Sequence, residues 1–354
     1  MIRYRSEEDR TQMKQQKRID YLKAFAIILV VFYHALFQLK LSYSSMPYLC
    51  LTITLEAVHV PLFLLIAGYL CHRQPIRTFY YKKFRRILIP FLFMSVLKLI
   101  FNNLLSTEYL HGEGIGAQLF DAFLCGGLYW FCYCLLILFA AAPLLWNRKA
   151  LKWILLVILI GGNWYLGARS IQLTSILQIR NVIHYSPYFL LGMLLSEHRI
   201  FRPPGTKEPA DPAAGRTAKW SAAKSMILTA ALLVGMVCGY LRFSLDVGEV
   251  YPVDLLIGLS VMYLLYAITH LIPGGKMAGA ILGSLGKYSY QIMLLDPFLR
   301  VLFSRILSRY LPVGIISLFL LTVLDLLFCC LISLAVSKIP VLRVLLGVDQ
   351  VRRG

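Results

Sequence analysis

Ten stretches of apolar residues run along the chain, each bounded by charged or turn-forming positions: about 22–38, 49–71, 87–106, 119–146, 153–167, 182–197, 226–241, 251–272, 288–303 and 312–337. A helix of about 20 residues crosses the hydrocarbon core of a bilayer. Unpaired backbone groups are costly in lipid, so each stretch must be helical. The pattern predicts an all-α, polytopic integral membrane protein with about ten transmembrane helices. The fifth stretch is short, and the fourth is long enough to tilt or to begin at the interface.

Composition strengthens this picture. The chain has 354 residues, of which 59 % are apolar and 15 % charged, with a mean hydropathy of +0.70. That excludes disorder and argues against an ordinary soluble enzyme. The net charge of +19 would suggest nucleic acid in a soluble protein. Here its placement gives another cause. Of the 36 Lys and Arg, 28 fall in the two termini and alternate loops, and six in the opposite loops (Lys40, Arg169, Arg180, Arg242, Arg305, Arg309). Cytoplasmic loops carry such an excess, so both termini are expected in the cytoplasm and no nucleic-acid partner is expected. The chain divides into a basic cytoplasmic segment over 1–22, a membrane domain over 23–337 with a basic flexible loop at 198–225, and a basic cytoplasmic tail over 338–354. The first apolar run has no small-residue cleavage site, so it is expected to stay as a signal anchor. The eight cysteines sit almost entirely in apolar stretches, and Cys132-x-Cys134 fits neither a zinc site nor a redox pair. No metal is expected, and no P-loop, GxGxxG or HExxH is present.

The first apolar run carries the most chemistry. Lys23 sits at its cytoplasmic mouth, and His34 lies about 16 Å deeper, roughly mid-bilayer, at 1.5 Å per residue. Eleven steps of about 100° leave the two on one face. Asp20, three residues before Lys23, can pair with it. An ionisable residue at that depth is costly and usually marks a site, although a hydrogen-bonded core histidine is the bland alternative. Histidine is the side chain best suited to take a proton near neutral pH.

Other polar positions inside apolar runs are candidates. Glu56 and His59 lie three apart, expected on one face of the second helix. Lys98, near the middle of the third run, either snorkels or pairs with a carboxylate such as Asp325 in the tenth. Trp130 begins the fourth helix proper, where an aromatic belt and a sugar-stacking platform are both open readings. Arg73, Arg77, Lys82, Lys83, Arg85 and Arg86 crowd the loop expected over 72–86. They suit either anionic lipid or a phosphate-bearing ligand. Asp254 and Asp296 have no assigned role.

Several of these segments resemble the acyltransferase 3 family of integral membrane acyltransferases. Lys23-x10-His34 matches that family's basic residue, ten residues and histidine. The segment from His59 through Pro61, Phe63 and Ala67 to Tyr69 resembles its "H-x-P-x-F-F-x-x-S-G-[FY]". Lys83 through Arg86 to Pro90 resembles its "R-x-x-R-[IL]-[IL]-P", and Leu285 to Leu295 its "LGKYSYxIYLLH". The Tyr129–Phe131 and Tyr188–Gly192 segments look like two further elements, so the likeness spans residues 18 to about 300. The histidine-proline form at 59–61 looks most like the fucose 4-O-acetylase-like subgroup. There are departures. Ala67 stands where the family has serine, Lys83 where it has arginine, and Asp296 where it has a late histidine.

The resemblance implies transfer of an acyl group, often acetyl, from cytoplasmic acyl-CoA to a hydroxyl of an extracytoplasmic cell-surface carbohydrate or lipid-linked glycan. It implies a multi-pass protein of a cell inner membrane, on family distribution a bacterial one, in contact with membrane lipids. Acetyl-CoA would be the donor. It implies His34 as the catalytic residue, acting as general base or being acylated first. Lys23 and Asp20 would order the donor mouth, and Lys83, Arg85 and Arg86 would bind CoA phosphates. His59, Glu56 and Trp130 would face the acceptor. Asp296 would be structural or substrate-facing. Two rival readings stay open: a proton-coupled carrier, and an acyltransferase-like protein that binds without catalysis.

Overall fold

A computed structural model describes residues 7–105, 114–197, 251–272 and 277–348. Among the described residues the chain is all-helical, with no strand. The helices are α1 (Glu7–Gln38), α2 (Met46–Glu56), α3 (His59–Tyr69), α4 (Ile76–Lys83), α5 (Ile89–Leu105), α6 (Ile115–Leu124), α7 (Trp130–Leu145) and α8 (Lys149–Ala168). They continue with α9 (Ile179–Glu197), α10 (Tyr251–Leu271), α11 (Met277–Lys287), α12 (Ser289–Leu307), α13 (Ile315–Val336) and α14 (Pro340–Leu345). A π-turn over Phe84–Leu88 joins α4 to α5.

The chain is a multi-pass membrane protein. Seven helical segments among the described residues are long and apolar enough to cross a bilayer: 15–38, 46–69, 76–104, 115–145, 149–168, 251–271 and 315–336. Helices α9 and α12, 19 residues each, match two further expected runs. Both are more polar than the seven. Helix α12 carries Asp296, Arg300 and Arg305, charges that need protein rather than lipid around them. The expected run 226–241 and the loop 198–225 lie outside the described residues.

Three boundaries differ from the expectation, each for a local reason. The single helix expected over 49–71 breaks at Ala57 and Val58, which places Glu56 at the end of α2 and His59 at the start of α3. Pro61 has no N–H to offer the Ala57 carbonyl, which is four residues back. That freed oxygen packs against Gly258 of α10, where no side chain would fit. The long fourth run divides at Gly126 and Gly127, both at positive φ (73° and 44°), into α6 and α7. The basic loop expected over 72–86 is mostly helix: Ile76 to Leu104 form one continuous span. Pro90 frees the Arg86 carbonyl in the same way, and the π-turn widens the helix there. Gly347 packs on that carbonyl, and a Cβ on it would lie 2.6 Å away.

Lipid is as apolar as leucine, so burial does not draw these helices together and close packing must. Gly68 of α3 faces the backbone of Phe189, and Gly192 of α9 faces the backbone of Leu65. A methyl group at either would overlap a carbonyl oxygen. The two backbones therefore touch, and Leu62, Leu65, Phe189 and Met193 lie in one buried core around the contact. Helix α1 lies against this core along Ile19, Leu22 and Ala26, and against α12 and α13 through Ile27, Val31, Ile292 and Cys329.

Candidate functional site

His34 is four residues short of the end of α1 at Gln38, about 6 Å by helical rise, so it lies nearer that end than the midpoint its sequence position suggests. Its Nδ1 lies 2.7 Å from Oδ2 of Asp296 on α12. A carboxylate only accepts, so Nδ1 carries the proton and donates it to Asp296. Nε2 is left as the acceptor nitrogen. The His34 side chain is 34 % exposed and lines a cavity of about 1730 Å³, whereas Asp296 is wholly buried behind it.

Asp296 is the centre of a buried ion network. Arg300, one turn on along α12, donates from Nη1 to the same Oδ2 at 2.8 Å. Asp325 of α13 accepts a hydrogen bond from Sγ of Cys329 at 3.2 Å. Oδ1 of Asp296 and Oδ2 of Asp325 are buried and make no hydrogen bond among the described residues. Of the two roles expected for Asp296, structural or substrate-facing, its full burial and its bonds to His34 and Arg300 favour the structural one. It stands in contact with the imidazole, on the side away from the cavity. The expected pairing of Lys98 with Asp325 is not formed. Lys98 Nζ donates to the Pro297 carbonyl at 3.3 Å and lies 4.8 Å from the Phe101 ring centroid and 5.2 Å from that of Phe298.

The cavity gathers several of the sequence candidates. Glu56 accepts a hydrogen bond from the Tyr33 hydroxyl at 2.8 Å, although it and His59 now belong to different helices. His59 donates from Nδ1 to the Leu55 carbonyl at 2.6 Å and stacks on Tyr33 at 4.3 Å. Trp130, first residue of α7, stacks on Tyr185 at 5.5 Å with planes 22° apart. All of these line the cavity with His34. Tyr43, in the loop beyond α1, has its phenol pushed up by burial and then by the charge of Glu56.

The remaining candidates lie elsewhere. Asp20 and Lys23 pair at 3.3 Å on α1, eleven residues before His34 in the case of Lys23, and neither lines the cavity. Gly286 packs directly on the Asp20 backbone, so the glycine of the Leu285-Gly286-Lys287 segment fixes α11 against α1 at this point. Lys83 precedes the π-turn and Arg85 and Arg86 lie within it, also away from the cavity. Lys83 holds its ammonium 3.7 Å from the Phe139 ring centroid, and Arg85 reaches the Tyr81 hydroxyl at 3.4 Å. Ala67 packs on the apolar core. Among the described residues no group of three or more His, Cys, Asp or Glu is placed to hold a metal ion.

Sequence reasoning named Asp296 without its partner His34, and gave no role to Arg300, Tyr33 or His184, all in or next to this site. One signal was available. Asp296 and Arg300 are an i, i+4 opposite-charge pair inside an otherwise apolar run, where lone charges are not tolerated.

A multi-helix membrane protein with a histidine–carboxylate pair at the wall of a large cavity has the layout of a membrane-embedded catalyst. A family model described as an acyltransferase domain, acyltransferase 3, matches residues 16–337, and the chain belongs to that family. It is a membrane acyltransferase by that membership. No curated protein and no solved structure matches the chain.

Proposed function

We propose that the protein is an O-acyltransferase that moves an acyl group, acetyl in the first instance, from cytoplasmic acyl-CoA to a hydroxyl of an extracytoplasmic cell-surface or lipid-linked glycan. The observation that carries this reading is the His34–Asp296 bond. It holds the imidazole in one tautomer, with its basic nitrogen free to meet a hydroxyl entering the cavity.

In this mechanism Nε2 of His34 takes the proton of the acceptor hydroxyl as the oxygen attacks the thioester carbonyl. The C–O bond forms, the C–S bond breaks, and the sulfur of CoA leaves with the proton that His34 has held. Asp296 stabilises the imidazolium that forms in between, and Arg300 keeps Asp296 anionic in a dry site. Lys98 and Arg300 add positive charge on the flank where the carbonyl oxygen becomes negative. Glu56, His59 and Trp130 position the acceptor. Lys23, oriented by Asp20, and Lys83, Arg85 and Arg86 meet the phosphates of CoA at the opposite end of the bundle.

The 28-to-six split of cations supports cytoplasmic termini, a membrane domain over 23–337 between basic segments 1–22 and 338–354, and ten crossings once the run 226–241 is counted. His59 and Pro61 support a place near the fucose 4-O-acetylase-like subgroup, and a bacterial inner membrane is the setting proposed.

The test is acyl transfer from radiolabelled acetyl-CoA in membranes that carry the protein, with His34→Ala and Asp296→Asn alongside. Label in a glycan or glycolipid fraction that falls at least a hundredfold in both variants is the expected result. Label that persists in His34→Ala would remove this histidine from the reaction.

A further inference from the structure

The acceptor class can be read from the charges at the cavity. Its described lining holds five cations, Lys40, Lys98, Arg180, Arg300 and Arg305, against three carboxylates, Glu56, Asp121 and Asp254, an excess of two positive charges. Most of the lining charges are already engaged. Arg300 is matched by Asp296, and Glu56 accepts from Tyr33. Asp254 is engaged as well. Besides Lys98, which donates to the Pro297 carbonyl, three cations have no ion pair among the described residues. Arg180 is steadied by the Gln172 side chain at 3.1 Å, while the side chains of Lys40 and Arg305 make no hydrogen bond or ion pair there. Asp121 is the one carboxylate of the lining in the same condition.

These three cations are not scattered. Each comes from a different element: Lys40 follows α1, Arg180 opens α9 and Arg305 closes α12. Lys40 adopts a left-handed backbone at φ 56°, where glycine would be less strained. Arg305 continues an i, i+4 stripe with Pro297 and Val301, all on the cavity. By helical rise Lys40 stands about 9 Å beyond His34, and Arg305 about 14 Å beyond Asp296. They also belong to the six cations on the sparsely charged side of the chain. Where topology selects against lysine and arginine, half of those present face one cavity.

We propose that the acceptor is an anionic glycan whose phosphate or carboxylate is held at the cavity mouth by Lys40, Arg180 and Arg305 while its hydroxyl reaches His34. The proposal rests on the acyl-transfer reading for the identity of the site. The charge excess draws the anion to the mouth, and the distance to His34 corresponds to one or two sugar rings. Asp121 disfavours a second negative charge close to the glycine turn at 126–127.

Two measurements on the full-length protein in detergent test it, one of which needs no activity. Titration calorimetry uses glucose, glucuronic acid and glucose 1-phosphate as probes. The expected result is that at least one anionic sugar binds ten times more tightly than glucose. In Lys40→Gln/Arg305→Gln the advantage disappears, while size exclusion and melting temperature stay as in the parent. Binding of neither anion, or anion binding untouched by the double variant, overturns the proposal. The second case would place the anion at the basic end around Arg86. Acetyl label transferred in membranes is then run on an anion exchanger. Retention that is lost after cold hydrofluoric acid identifies a phosphodiester glycan, and retention lost after carboxyl reduction identifies an acidic sugar. Elution with the neutral fraction overturns the proposal even though acyl transfer has occurred. No label at all counts against the acyl-transfer reading, and the titration still decides the anion site by itself.

Discussion

The two ends of this bundle use charge in opposite ways. Beside His34 the ionised partners are buried and mutually dependent: one oxygen of Asp296 meets both the imidazole and the Arg300 guanidinium. Around Arg86 the cations are many and mostly exposed; Lys83 stands over the Phe139 ring and Arg85 reaches the Tyr81 hydroxyl. His72, in the loop before α4, is pushed towards its neutral form by burial and then by the charge of Lys83. A buried network loses its function when one member goes, because the others are left uncompensated. An exposed cluster loses affinity in steps. The contrast separates chemistry from capture, and substitutions at each end can be ranked by it.

The largest effect is expected at His34. His34→Ala removes the proton acceptor, and the acyl-transfer rate should fall about 10²–10⁴-fold with the KM for acyl-CoA little changed. A fall in affinity with the maximal rate intact would place His34 in binding and erase the distinction between the two ends. Steady-state kinetics at saturating donor decide it.

Asp296 comes next, and its effect has two parts. Asp296→Ala leaves Arg300 buried without its carboxylate and should cost about 3–5 kcal/mol of stability. Asp296→Leu combined with Arg300→Met should recover most of that stability, because apolar residues of similar volume often replace a buried ion pair at no net cost. It should not recover the rate, since His34 loses the group that fixes its tautomer. Thermal unfolding in detergent reports the first part and label transfer the second. Recovery of both would make the network structural only.

Gly286 links the two regions through the backbone, because it packs on Asp20 beside Lys23. Gly286→Val has to push α11 away from α1 and should cost about 1–3 kcal/mol. It should also raise the KM for acyl-CoA as the Asp20–Lys23 pair shifts. An unchanged melting temperature would show that the contact gives way freely.

These expectations show what was legible in the sequence and what was not. The apolar periodicity foretold the crossings because lipid forces a helix on any long apolar run. It could not foretell the breaks at Glu56–His59 and Gly126–Gly127, which depend on one proline and two positive-φ glycines. His34, His59 and Trp130 stood out because each is a distinctive side chain at a marked position. Asp296 did not, because its meaning lies in a contact 262 residues away in the chain. The long-range contact itself leaves no local trace, and only the i, i+4 pairing with Arg300 stood in the sequence. The loop expected over 72–86 was misjudged because many charges look like solvent, whereas the aromatic residues between them carry a helix.

The smallest effect is expected at Lys83. Its ammonium stands over the Phe139 ring and 5.8 Å from the Phe79 centroid, and an aromatic contact of this kind is worth about 0.5–1 kcal/mol at an exposed site. A lysine turned to two rings of neighbouring helices presents less of its charge to a phosphate than exposed Arg86 does. Lys83→Met, which keeps the apolar stem, should change the KM for acyl-CoA by about twofold or less. Arg86→Ala should raise it about tenfold, a difference of about 1.4 kcal/mol. Raising the salt should weaken the donor affinity of the parent and of Lys83→Met alike, since surface cations are screened over about 8 Å at physiological ionic strength. It should leave the maximal rate set by His34 and Asp296 in place. If Lys83→Met and Arg86→Ala raised KM equally, Lys83 would belong to the phosphate-binding set, and the aromatic contact would be a resting position from which it swings to meet the donor.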